Sequence, residues 1–158
     1  MLTREETVQL ARKYADGGYL CSESVLKALA ESFGIKNELI PRIATGFGGG
    51  MGRSGEVCGA VSGAFMGLSL LYGRDTPGKP GPRRPYWYTT AAAAAFRKRH
   101  GTLRCHELLK LDLNNPADYK TYSEQKMWTT NCCEYIEAAA GIAYDVASEE
   151  AKSKEGKK

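Results

Sequence analysis

The stretch GFGGGMGRSGEVCGAVSGAFMGL, residues 46–68, constrains this chain more than any other, because it sets nine glycines around one cysteine, Cys58. Inside a helix a glycine costs about 1 kcal/mol relative to alanine. Yet the second half of the stretch continues to Tyr72 as an apolar run that reads as a buried central helix, from about Glu56 to Tyr72. The glycines before Cys58 let backbone approach something closely with N–H groups exposed. Those after it, Gly59 and Gly63, lie one turn apart and leave room for another element against the helix. A thiolate-bound centre inside a helical bundle needs both.

Helical signals recur along the rest of the chain, and strand signals are nearly absent. Thr3 with Glu6 spells a capping box, followed by apolar residues at helical spacing until Asp16-Gly17-Gly18. A second helix is expected from about Cys21 to Phe33, with Gly34 ending it, and a short third from Glu38 to Thr45. GRDTPGKPGPRRP (73–85) holds four of the six prolines and must be a loop. Helix resumes from about Tyr86 to His100, and Thr102 can open a short helix to Lys110. Asn115-Pro116 marks a further start. Asn131 with Glu134 is read as a capping box opening a final helix to about Ala147. The expected fold is an all-α, compact single-domain helical bundle, with a glycine-rich loop leading into a central helix. The domain spans 1–150, and 151–158 form a disordered basic tail.

A length of 158 residues suffices for one domain with a real core. The composition, 42% hydrophobic and 25% charged, excludes collagenous and disordered classes. A net charge of +4 is too small for a nucleic-acid surface. The basic segments 83–90 and 96–100 read as solvated helix faces, so no nucleic acid is expected as a partner. The apolar run from Val57 to Tyr72 falls short of the ~18–20 residues of a membrane span, so no membrane association is expected. The start MLTREETVQL does not read as a signal peptide. The expectation is a cytoplasmic protein, whose five cysteines are then metal ligands, redox thiols or buried small hydrophobes rather than a disulfide framework.

All five cysteines fall at expected helix starts: Cys21, Cys58, Cys105 and the pair Cys132-Cys133. A helix start offers unpaired N–H groups and about half a positive charge. Both lower a thiol pKa and stabilise an anion. The four positions lie tens of residues apart without a Cys-x-x-Cys pair, so neither a zinc ribbon nor a thioredoxin motif is spelled. Adjacent helical residues point about 100° apart, so one of Cys132 and Cys133 faces a centre while the other packs.

GYLCSESVLKAL (18–29), the glycine stretch extended to Arg74, HGTLRCHELLKLDL (100–113) and TTNCCEYIEAAA (129–140) together resemble the C-GCAxxG-C-C family of small bacterial and archaeal redox-active proteins. In that register the family cysteines fall on Cys21, Cys58, Cys105 and Cys132. Cys133 takes a place that is often proline, while Ser22 stands where alanine is usual. The resemblance extends to the non-haem part of split-Soret-type cytochromes, whose cysteines are associated with an iron–sulfur site. It therefore implies an iron–sulfur cluster, [2Fe–2S] being favoured, on Cys21, Cys58, Cys105 and Cys132, with electron transfer to a redox partner protein. Four cysteines satisfy such a cluster. A homodimer is an open expectation. Covalent c-type haem is not supported, because Cys-x-x-Cys-His is missing.

Two rivals stand beside this reading. One is a metal-free dithiol/disulfide oxidoreductase in which Cys58 attacks and a second thiol, Cys21, resolves. The other is a binding protein with a structural zinc. GMGRSG (50–55) matches GxGxxG, but no strand precedes it, so a dinucleotide site is not expected. An anion-binding nest assisted by Arg53 remains. His100 is expected to complement a helix dipole. His106 is a candidate hydrogen-bond donor to a ligating sulfur, or an alternate ligand, beside Cys105. Glu56 is a turn-stabilising or proton-accepting candidate.

Overall fold

Thr3 opens the first helix by the expected box: Glu6 N–H donates to Thr3 Oγ1 at 3.2 Å and Thr3 N–H to Glu6 Oε2 at 2.7 Å. The computed structural model describes residues 1–78 and 83–155. Helix α1 (Arg4–Asp16) buries Thr7, Ala11 and Ala15 on one stripe. These small side chains let it lie close to its neighbours. Inside that contact the Thr7 and Ser32 hydroxyls meet at 2.8 Å, and Ser32 Oγ donates to Ala28 O at 2.7 Å, which pairs two buried polar groups.

Helix α2 (Cys21–Ser32) is buried on most of its circumference and forms the centre of the bundle with α4 (Gly59–Tyr72). Between them lie a 3₁₀ helix (Arg42–Phe47) and a single turn, α3 (Gly48–Met51). The chain continues through α5 (Trp87–His100), α6 (Cys105–Leu109), α7 (Pro116–Glu124), a π-helical turn (Trp128–Cys132) and α8 (Cys133–Glu155). Helices α1, α5 and α8 wrap the α2–α4 pair, with Val25, Leu29, Val61, Leu68, Phe96 and Ile136 in the shared core. Among the described residues no strand forms; an isolated antiparallel bridge joins Val57 to Arg104. The all-α expectation holds.

The α2–α4 contact explains the later glycines. A Cβ on Gly63 would lie 2.5 Å from Ser22 O and 3.0 Å from Val25 Cβ, and one on Gly67 would lie 2.5 Å from Leu29 Cδ1. One on Gly59 would overlap the Cys21 sulfur. With one glycine per turn, the α2 backbone settles directly on α4.

Four boundaries differ from the sequence reading. The helix expected over 38–45 is replaced by the 3₁₀ helix at Arg42–Phe47; Pro41, in the middle of the expected span, has no N–H to continue an α-helix. The central helix starts at Gly59 rather than Glu56, because residues 56–58 are engaged in backbone pairing with 103–105. Asn131 does not cap a helix: the π-helical turn runs straight into α8, Cys133 N–H already donates to Trp128 O, and Asn131 Oδ1 accepts from Thr130 Oγ1 instead. The last helix passes Ala147 and continues to Glu155, so the first part of the expected disordered tail is helical. Residues 156–158, and 79–82 of the proline-rich loop, lie outside the described residues.

Candidate functional site

Each cysteine is set by a short local device. Cys21 is the first residue of α2 and is buried. The N–H groups of Gly49, Ser22 and Ala60 lie near its sulfur and favour the thiolate. Cys58 is the N-cap of α4; the N–H groups of Ala60 and Val61 face its sulfur without closing a capping hydrogen bond. Cys105 is the first residue of α6, and Cys132 is the last of the π-helical turn.

Backbone pairing brings Cys58 and Cys105 together. Cys58 N–H donates to Leu103 O at 2.7 Å, Cys105 N–H to Glu56 O at 2.7 Å, and His106 N–H to Gly55 O at 3.2 Å. Arg104 and Glu56 add an exposed ion pair at 3.1 Å, which is the role the structure gives Glu56. Gly50 makes room for this clip. Its φ is +68°, and a Cβ there would stand 2.6 Å from Cys105 Cβ and 2.8 Å from Glu56 O. The loop around it stays left-handed through Gly49, Gly50, Met51, Gly52 and Arg53. Met51 and Arg53 keep positive φ without being glycine, a strained conformation costing about 1–3 kcal/mol each.

Cys21, Cys58, Cys105 and Cys132 all line one cavity of about 590 Å³. Cys133 does not: it is fully buried in the core, with Arg12, Asp16 and Glu137 as its charged surroundings. The cavity wall is mostly apolar and aromatic, with Leu113, Tyr122, Trp128 and Tyr135. The Tyr122 hydroxyl lies 3.4 Å from Cys132 Sγ. The sequence reading missed these aromatics; the signal available was the i, i+3 pair Tyr119 and Tyr122 on α7, whose rings stack at 5.9 Å.

Burial reverses the expected effect of the helix starts on the thiols. Desolvation pushes Cys58 well above the ordinary thiol range, with the Cys21 and Cys105 charges adding to it. Burial pushes Cys105 up to about 12, with Cys21 adding. It pushes Cys132 up to about 12 as well, against the Tyr122 hydrogen bond. Cys21 and Cys133 rise for the same reason. The N–H groups are present, but in a site this dry they do not compensate for lost hydration.

The two histidines stand apart from the cysteines. His106 is exposed and does not line the cavity, so the ligand or donor role considered for it has no geometric support. His100 ends α5 as expected, but its ring packs 4.6 Å from Phe96 and 5.1 Å from Tyr135, with Nε2 buried and unpartnered. Burial first, then Arg99, lowers its pKa, so it is not the charged dipole partner expected. Arg53 lines the cavity, with its guanidinium 4.3 Å above the Tyr119 ring. Among the described residues, no three His, Cys, Asp or Glu side chains gather tightly enough to hold a single metal ion, and no helix is long and apolar enough to cross a membrane.

A sequence model of the family described as "Putative redox-active protein (C_GCAxxG_C_C)" matches residues 19–146. The chain belongs to this family. The C_GCAxxG_C_C match takes in all four cavity cysteines, the glycine loop, α7 and the Tyr122–Cys132 contact. No curated protein and no solved structure matches the chain.

Proposed function

We propose that this member of a redox-active family holds an iron–sulfur cluster, of the [2Fe–2S] type, on Cys21, Cys58, Cys105 and Cys132, and exchanges electrons with a redox partner protein. The observation that carries this reading is the convergence of these four thiols, from four separate elements, on one cavity while the fifth cysteine is turned into the core. The donor set matches the four cysteines such a cluster takes. When bound, the group would supply a redox couple whose potential depends on hydrogen bonds to the sulfurs and on solvent exposure.

The chain's own residues do the rest. Burial at the starts of α2 and α4 leaves Cys21 and Cys58 less than a tenth exposed. N–H groups of Gly49, Ala60 and Val61 offset negative charge on Cys21 and Cys58. Against a thiolate only the Tyr122 phenol can be the donor, so it gives a hydrogen bond to Cys132. The 55–58 and 103–106 pairing keeps Cys58 and Cys105 at fixed separation, which limits rearrangement when the charge changes.

The dithiol/disulfide reading needs an attacking thiolate near neutral pH. Burial raises the Cys58 and Cys21 thiols, which opposes a free attacking thiolate. A structural zinc takes three or four side-chain donors on one ion, and the same four cysteines line the cavity, so metal content separates this reading from the cluster.

Purification without oxygen, followed by iron and sulfide analysis, tests the proposal. The expected result is a coloured protein with iron and sulfide in equal amounts, both lost in Cys58→Ala. Colourless protein without iron, carrying a Cys58 disulfide, would establish the dithiol reading instead; stoichiometric zinc without iron would establish the third.

A further inference from the structure

The cysteine cavity is larger and more apolar than four ligands require. The four core atoms of a [2Fe–2S] cluster fill roughly 120 Å³, taking about 30 Å³ per water-sized unit. The cavity measures about 590 Å³, within the ~300–1,000 Å³ span of small-molecule pockets. Leu20, Leu113, Tyr119, Tyr122 and Trp128 are among its lining residues, a surface suited to a flat organic body. Of the lining residues, Leu20 and Tyr119 are about two-fifths exposed, so the pocket communicates with solvent.

Arg53 is the charged side chain among the residues lining this space, and no Asp or Glu lines it. Among the described residues no carboxylate lies within ion-pair distance of Arg53. Its guanidinium carbon lies 4.3 Å from the Tyr119 ring centroid, a cation–π contact, and its N–H groups, without a carboxylate, can meet an anion two-pronged. Its backbone is strained: φ is +66°, in a run where Gly49, Gly50 and Gly52 adopt the same conformation without penalty. Two of the five positions in this run, Met51 and Arg53, carry side chains at positive φ, and of the two Arg53 lines the cavity.

We propose that the cavity is also a binding site for a small organic anion, with a flat apolar body lying on Leu113, Tyr122 and Trp128 and an anionic group paired with Arg53. The proposal needs only the cavity and Arg53, so it stands or falls independently of the iron–sulfur reading.

The probes are 2-naphthoate and its uncharged counterpart 2-naphthamide, titrated calorimetrically into the anaerobically purified full chain, with iron and sulfide measured on the same sample. The expected result is that wild type binds the anion at least ~10-fold more tightly than the amide, a preference worth about 1.4 kcal/mol. Arg53→Gln abolishes this preference while retaining affinity for the amide. Arg53→Gly, which relieves the backbone strain and so keeps the fold, abolishes it too. If neither probe binds at millimolar concentration, or the anion preference survives in both variants, the proposal is overturned. Equal binding of both probes by wild type also overturns it, and would leave Arg53 balancing the charge of the thiolates. Anion selectivity in a sample without iron would sink the cluster and keep this site; iron and sulfide without selectivity would do the reverse.

Discussion

A thiol at a helix start is subject to two opposing influences, and in this protein burial is the stronger. Metal-free folded chain should therefore alkylate at pH 8 more slowly than the same chain unfolded in guanidinium, at Cys105 and Cys132 above all, since burial lifts both to about 12. Peptide mass mapping after a short pulse reads this directly; faster alkylation in the folded state would refute it. The folded chain also holds these protons more tightly than the unfolded one. Their contribution to stability is complete below the unfolded thiol value near 9 and is lost as pH climbs toward 12. Urea titrations of metal-free protein should show unfolding free energy falling from pH 9 to 11. Tyr122 works against burial at one sulfur. A hydrogen bond to a charged group is worth roughly 1.5–3 kcal/mol, and one pKa unit is 1.36 kcal/mol. Tyr122→Phe should thus slow Cys132 alkylation roughly tenfold and leave Cys105 unchanged.

Among the elements, the contact of α4 with α2 depends on missing side chains. Gly63→Ala raises helix propensity by about 1 kcal/mol, but the new methyl meets Ser22 O at 2.5 Å and Val25 Cβ at 3.0 Å. Backbone cannot swing aside as a side-chain end can, so overpacking at roughly 1–3 kcal/mol or more prevails. The melting temperature should fall by ~3–10 °C; a rise would mean that α2 and α4 separate without penalty. The start of α4 was legible as a helix carrying Cys58, but not its boundary. Glu56 and Val57 look helix-compatible in sequence, and only their pairing with residues 103–105 withdraws them. Asn131 and Glu134 spell a capping box, yet the preceding π-helical turn leaves no orphan N–H for the asparagine to cap.

For the whole molecule, the cavity draws on four separate stretches of chain, so anything held there cross-links the bundle. A bound group stabilises the folded state because the unfolded chain offers no preformed site. If the proposed cluster is bound there, stripping its iron with a chelator under anaerobic conditions should lower the melting temperature and speed hydrogen exchange around the α2 and α4 starts. An unchanged melting temperature after complete iron loss would place the metal outside the cavity.

Helix class, the number of major helices and three of the four cavity cysteines, Cys21, Cys58 and Cys105, were open to sequence reading, because capping residues, 3.6-residue periodicity and glycine placement are local physics. The glycine stretch alone announced both a close helix contact and a crowded loop, and Gly63 against Ser22 and Gly50 against Cys105 are those two contacts. What only the tertiary structure decided depends on distant partners. It turned Cys133 into the core and Cys132 to the cavity, set Tyr122 against a sulfur ten residues along the chain, and placed Arg53 over the Tyr119 ring. It also decided the sign of the thiol shifts. A sequence shows the dipole that a helix start provides, whereas the water that folding removes around it depends on everything packed nearby, and that desolvation is the larger effect.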